Sequence, residues 1–225
     1  AGLFHTAILF DTEEALAAAV YSVARKYPNT FTGSSDHLVS KAFYFSDPEG
    51  NGVELYWDRD RSAWSWAHGA IEMSTLYLDP NAFLQENLTE AAAEEPLIGG
   101  ARVGHVHLQV GDIPSARDFY VTTLGFEETA AYGPQALFVS AGGYHHHMAM
   151  NTWQTAGVGL RAPGLGLGTV AIEVPASADV LAAAERLRAR GLDVALETAA
   201  ASARLGVDDP WGNRVEVTSQ VASPR

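Results

Sequence analysis

Cysteine is absent from the chain, and that absence removes several chemistries at once. Disulfides, zinc thiolate sites, iron–sulfur clusters and thiol catalysis are excluded, so any metal must be held by His, Asp or Glu. Basic residues are scarce: 14 Lys and Arg stand against 27 Asp and Glu, a formal charge of −13. Such an excess repels phosphate backbones and anionic membrane surfaces, so neither nucleic acid nor lipid is an expected partner. Long apolar runs are missing too; the longest are broken by Gly, Asp or His, and no membrane span is expected. With no cysteine and no signal segment, the chain reads as cytoplasmic. A leading Met is lacking, and apolar residues that look like a strand begin at Leu3, so the N-terminus is expected to lie upstream.

What is present suffices for a core: 225 residues, 47% of them hydrophobic, enough for one large domain or two small ones. Internal repeats organise the rest. Asp47–Glu54 reads DPEGNGVE and Asp209–Glu216 reads DPWGNRVE. Asp-Pro-x-Gly-Asn is turn chemistry, since Pro presets φ and Gly or Asn tolerates positive φ before the next strand. Upstream of each turn lie a short apolar strand, an Ala-rich amphipathic helix and two more strand-like runs. The first strands correspond as GLFHTAI at Gly2–Ile8 and GLGTVAI at Gly166–Ile172. A third copy starts at Arg102 with RVGHVHLQV and ends near Trp153 with GGYHHHMAMNTW. Helices are predicted over Glu13–Tyr27, Ser115–Leu124 and Ala178–Arg190, each ending near a breaker, Pro28, Gly125 or Gly191. The expected fold is therefore α+β: βαβββ modules over residues 2–58, 101–154 and 165–219. Residues 59–100 link the first two, with a helix over Asn81–Glu95.

Ionisable residues recur at two matched places, mid first strand and last strand. The first module offers His5 and Glu54, the second His105 and one of His145–His147, the third Thr169 and Glu216. Placing the triplet in a strand lets only one of its faces share a site. Aligning GGYHHHM with GNGVELY puts His146 opposite Glu54 and turns His145 and His147 away. Taken singly, each piece has an ordinary reading, as a satisfied histidine, a simple turn or a solvated glutamate. Taken together, unpaired His and Glu at apolar strand positions would be costly to bury, so a shared partner is the economical explanation. His68, His107, His145 and His147 keep the ordinary reading. Two imidazoles and one carboxylate leave three open positions on an octahedral metal, the facial triad of non-haem Fe(II) oxygenases. Mn(II) and Co(II) suit similar ligands.

These residues resemble the vicinal-oxygen-chelate superfamily, which includes glyoxalase I, fosfomycin and bleomycin resistance proteins and extradiol dioxygenases. SDHLVSKAFYFSDPEGNGVELYWDRDR, RVGHVHLQVGDIPSARDFY and SAGGYHHHMAMNTW look most like the Bacillus-type branch of the catechol 2,3-dioxygenase group. The resemblance implies paired βαβββ modules that form cupped mixed sheets around a metal. It implies His5, His105 and Glu54 as ligands of Fe(II), or of Mn(II) or another divalent metal. His146 would be the acid–base group, with His37 and Tyr44 binding substrate oxygens. The implied reaction is extradiol cleavage of a catechol-type aromatic diol by O2. Two departures stand out: three modules are read where the branch usually has four, the first having no counterpart in this sequence, and the order of the two metal-bearing modules is reversed. If the second and third modules pair instead, the ligands become His105, His146 and Glu216. The leftover third module is expected to bury an apolar face against a second chain, giving a homodimer. Two rival readings remain, a glyoxalase-type metal-dependent isomerase or lyase and a non-enzymatic binder like the bleomycin resistance proteins.

Overall fold

The computed structural model describes residues 1–94, 100–162 and 164–219. The chain divides into two compact units, and the residues of the expected second module are shared between them. The first unit comprises Leu3–His107 and Gly142–Ala149; the second comprises Ala1–Gly2, Leu108–Ala141 and the chain from Met150 onward.

The first unit begins with β1 (Gly2–Phe10), α1 (Glu13–Lys26), β2 (Phe31–Asp36), β3 (Ser40–Ser46) and β4 (Gly52–Asp58). Thr12 starts α1 by accepting the Ala15 amide, with Glu13 and Glu14 in the first turn and Arg25 and Lys26 in the last, both favourable to the helix dipole. A short hairpin follows, β5 (Trp66–Ala67) and β6 (Ala70–Ile71), then β7 (Leu76–Tyr77), α2 (Pro80–Asn87), α3 (Glu90–Glu94) and β8 (Arg102–Gln109). The single helix expected over Asn81–Glu95 is two. Leu88 is extended, and Thr89 restarts the helix by accepting the Ala92 amide; Glu95 lies outside the described residues. The sheet order in this unit is β7-β2-β3-β4-β1-β8. Strand parity gives the sheet two different faces. One packs Phe10, Phe43, Phe45 and Leu55 against Leu16, Ala17 and Val20 of α1. The other carries Ala7, Leu9, Ala42 and Tyr56, and it is the face that holds the polar residues.

In the second unit, α4 (Ile113–Arg117) is capped by Asp112, which accepts the Ser115 amide, and then widens into a π-helix over Asp118–Leu124. The Arg186 guanidinium donates to the carbonyls of Thr123 and Leu124, satisfying the terminal acceptors, and Gly125 ends the helix at positive φ. β9 (Glu127–Tyr132) and β10 (Ala136–Ser140) pair antiparallel; β11 is Met148–Asn151. The last module is β12 (Thr169–Val174), α5 (Ser177–Ala189), β13 (Ala195–Ala199), β14 (Ser202–Asp208) and β15 (Arg214–Ser219). Its strand order, β12-β15-β14-β13, repeats β1-β4-β3-β2. The registers repeat too: Ala7 faces Glu54 across a parallel pair, and Ala171 faces Glu216 in the same way. The apolar face of this module is covered from within the chain. Val180, Ala183, Ala184 and Leu187 of α5 are buried, as are Leu205, Val207, Val215 and Val217 of the sheet. The opposite face carries the ion pairs Arg204–Glu216 and Arg214–Asp208, so it is polar.

The two turns match bond for bond. Asp47 accepts the amides of Glu49 and Asn51 and the Asn51 side chain; Asp209 accepts those of Trp211 and Asn213 and the Asn213 side chain. Gly50 and Gly212 take the positive φ, +84 and +79. The first turn runs directly into Gly52, where a Cβ would stand 2.8 Å from His5 Cβ and collide with the Phe4 carbonyl oxygen. Because that obstacle is backbone, no side chain can swing aside to relieve it. Gly52→Ala should therefore cost about 1–3 kcal/mol of overpacking, read as a lower urea midpoint. Gly33→Ala, where a Cβ meets nothing within 4 Å, is the matched control and should be neutral or slightly stabilising. Equal midpoints for both variants would mean that β1 and β4 separate without cost.

Candidate metal centre

Glu54 sits in the middle of β4, on the face away from α1, with Ala7 as its neighbour on β1 and Tyr44 as its neighbour on β3. His5 of β1 and His105 of β8 rise from the same face, on the next two strands of the sheet beyond β4. His5 Nε2 is 2.9 Å and His105 Nε2 3.2 Å from Glu54 Oε2, and the two nitrogens are 3.4 Å apart. All three side chains are buried. Burial pushes the Glu54 carboxyl up, but His105 and His5 outweigh it and hold the acid well below the ordinary glutamate range. Burial also lowers His105 against the opposing pull of Glu54, which favours the neutral ring that a metal requires. The His105 Nδ1 atom is buried with no hydrogen-bond partner.

These atoms form a buried group that could hold a metal ion. The donor set fits on geometry as well as chemistry. With bonds of about 2.1 Å, two ligands stand about 3.0 Å apart at a right angle and about 3.4 Å apart at the tetrahedral angle, and the observed triangle has edges of 2.9, 3.2 and 3.4 Å. Two neutral imidazoles and a carboxylate suit Fe(II), Mn(II) or Co(II).

His37 and Tyr44 lie beside this group. His37 Nδ1 is 2.7 Å from the Ser74 carbonyl oxygen, which only accepts, so Nδ1 carries the proton. In neutral His37, Nε2 then accepts from the Tyr44 hydroxyl at 2.7 Å. The Tyr44 ring centroid is 5.8 Å from that of His5. His146 is also close, its ring centroid 4.2 Å from that of His105, and burial drives its imidazole well below the usual histidine range. In contrast, Glu216 pairs with Arg204 at 2.6 Å and His5 finds only Thr169 at its position in the last module.

The expected place of the histidine triplet needs correction. His145–His147 precede β11 and do not lie in a strand. Gly142 and Gly143, at φ +67 and +68, bend the chain before it reaches Met148, so side-chain alternation does not apply. His145 is buried next to His146 and does not turn away: their Nδ1 atoms are 2.8 Å apart. His147 is exposed. His107, read from sequence as an ordinary histidine, is buried with its ring 4.9 Å from both His5 and Phe4. Asp58, Tyr56, Tyr144 and Trp64 escaped the sequence reading. A signal existed for two of them, since 54, 56 and 58 share one strand face.

Residues 102–217 match the family described as the Glyoxalase/Bleomycin resistance protein/Dioxygenase superfamily. The chain belongs to that superfamily. It is 42% identical over 154 residues to the catechol-2,3-dioxygenase of Bacillus subtilis (strain 168), a match covering 68% of this chain and 53% of the relative. The chain thus spans about half the length of that curated relative. Among solved structures, one from Bacillus subtilis subsp. subtilis str. 168, described as a candidate dioxygenase, covers 97% of this chain and 62% of its own. At 12% identity and a TM-score of 0.58, that likeness is one of fold. No helix among the described residues is long and apolar enough to cross a membrane.

Loss of one ligand from such a group should lower divalent-metal affinity at least 10–100-fold. After reconstitution and desalting, His5→Ala, His105→Ala and Glu54→Ala are expected to retain little metal by elemental analysis, and Glu216→Ala the full amount. Metal lost from Glu216→Ala but kept by Glu54→Ala would move the centre to His105, His146 and Glu216.

Proposed function

We propose that this superfamily member is an extradiol ring-cleaving dioxygenase that acts on a catechol-type aromatic diol, with Fe(II) held by His5, His105 and Glu54. The observation that carries the reading is the buried His–Glu–His triangle in a chain 42% identical to a catechol-2,3-dioxygenase. His5, His105 and Glu54 would hold the iron, which when bound would supply Lewis acidity and redox capacity next to the diol.

The surrounding side chains have separate tasks. His146, pressed against the His105 ring, takes the proton of a substrate hydroxyl and returns it as the ring opens. Desolvation keeps it neutral beforehand, the form that can accept. Tyr44 donates its own proton to His37, which leaves its oxygen lone pairs to receive a hydrogen bond from the diol. The Ser74 carbonyl anchors His37 in turn, so the phenol is oriented before substrate arrives. The buried rings of His107 and Tyr56, with the half-buried ring of Phe4, line the group and exclude water.

The test is anaerobic loading with Fe(II), then oxygenation with a panel of catechols. A yellow muconic semialdehyde is expected from at least one diol. His146→Ala should keep the metal but lower kcat by about 10²–10⁴. Full metal loading with no coloured product from any diol would defeat the proposal, and loss of metal in His146→Ala would make His146 a ligand.

A further inference from the structure

Behind His146 runs a chain of hydrogen bonds that neither metal binding nor substrate binding requires. We propose that Asp58 and His145 form a directional relay that fixes which nitrogen of His146 carries its proton, both acting as positioning residues. This rests on the reading of His146 as the acid–base group.

The direction follows from what each group can donate. A carboxylate only accepts. Asp58 Oδ1 is 2.8 Å from His145 Nε2, so that nitrogen bears the hydrogen. In neutral His145 that is the single N–H, and Nδ1 presents a lone pair. His146 Nδ1 lies 2.8 Å from it and must be the donor. The lone pair of His146 is thereby placed on Nε2, the atom left to take a proton. When Nε2 accepts a hydroxyl proton, one O–H bond breaks and one N–H bond forms. The imidazolium still donates through Nδ1, and the Asp58 charge stabilises it through His145 without taking the proton itself, the arrangement seen in catalytic triads.

The anchor is held from its other side as well. Tyr144 donates to Asp58 Oδ2 at 2.7 Å, and its oxygen therefore accepts the Tyr56 hydroxyl at 2.9 Å. With both carboxylate oxygens engaged, Asp58 cannot rotate without losing a bond. Gly104 makes this branch possible, because a Cβ there would strike the Tyr56 hydroxyl. The central link is dry: His145 has no exposed surface, with the Tyr144 ring centroid at 4.1 Å and the Trp64 ring at 5.2 Å. The Arg61 guanidinium lies 5.6 Å from both of those rings. Water excluded from this link cannot scramble its direction, and the local electrostatics are strengthened.

Metal-free protein with nitrogen-15 histidine provides the test, through long-range proton–nitrogen NMR, assigned with single His→Gln variants. The relay predicts His146 protonated at Nδ1 and His145 at Nε2. His145→Phe keeps an aromatic ring between Tyr144 and Trp64 but removes the acceptor. His146 should then lose its Nδ1–H preference, and kcat on a catechol should fall roughly 10–100-fold with KM changed less than about twofold. Trp64→Phe alters the packing against His145 and Tyr144 and removes the Trp64 Nε1 bond to the Arg59 carbonyl, but it breaks no bond of the relay and should leave the tautomers as they were. If His145→Phe does not fold, Asp58→Asn replaces it and should shift the tautomer in the same direction. Finding Nε2–H on His146 in the unaltered protein, or Nδ1–H that survives both substitutions, overturns the relay. The NMR result needs neither iron nor turnover. A protein inactive on every diol would thus sink the proposed function while the relay is still decided on its own.

Discussion

A buried carboxylate is the constraint around which the first unit is arranged. Removing an ionised Glu from water costs several kcal/mol unless other groups replace the lost hydration. Glu54, with 3% of its surface exposed, meets that demand through two imidazoles on neighbouring strands. Several details of the sheet serve this contact. Gly52 lets β1 come close enough for His5 to reach, Ala7 leaves space beside the carboxylate, and the Asp47 turn fixes where β4 begins. The charge balance also explains why the group favours a cation. The carboxylate is held ionised while His105 is pushed toward neutrality, so together they offer a cation a negative charge and a nitrogen lone pair.

The polar architecture is layered. Next to the triangle come His146 on one side and the Tyr44–His37 pair on the other; behind His146 come His145 and then Asp58. Each link satisfies a buried polar atom and orients the one before it, which is how a site is kept in a single geometry without the metal's help. Tyr56 belongs to two layers at once. Its ring packs 4.8 Å from that of His105 while its hydroxyl reaches Tyr144, so disturbance of the outer network is felt at the ligand.

Local chemistry was the most legible part of the sequence. Asp47-Pro-Glu-Gly-Asn and its counterpart at Asp209 predict their own turns because every bond involved lies within five residues. The grouping of His5, Glu54 and His105 was visible because the modules repeat and because strand parity is strict. Parity failed at Tyr144–His147, where the rule was applied to residues that are not in a strand; the two preceding glycines at positive φ were the overlooked warning. The long helix expected across Leu88 broke for a similar reason, since Thr89 is a better cap than an interior residue. Asp58 shares the strand face of Glu54 and so was within reach of parity, but it lies beyond the turn motif and nothing in its neighbours marks it as functional. What no pattern in one sequence could supply is the direction of the His145–His146 contact, which depends on a partner 87 residues away.

The duplicated turn has one more consequence, in evolutionary terms. The last module kept the backbone of the first but not its chemistry: Thr169 stands in register where His5 stands, Gly206 where Tyr44 stands, and Arg214 where Gly52 stands. Arg214 reaches across to Gly206, where any added Cβ would meet its guanidinium, and it also pairs with Asp208. Glu216 meanwhile has been claimed by Arg204. A histidine or tyrosine arriving by single substitution would therefore enter an occupied, charge-balanced surface and gain nothing until both arginines had gone. Acquiring a site there would thus take several steps that are each disfavoured alone, which holds this copy to the role of scaffold.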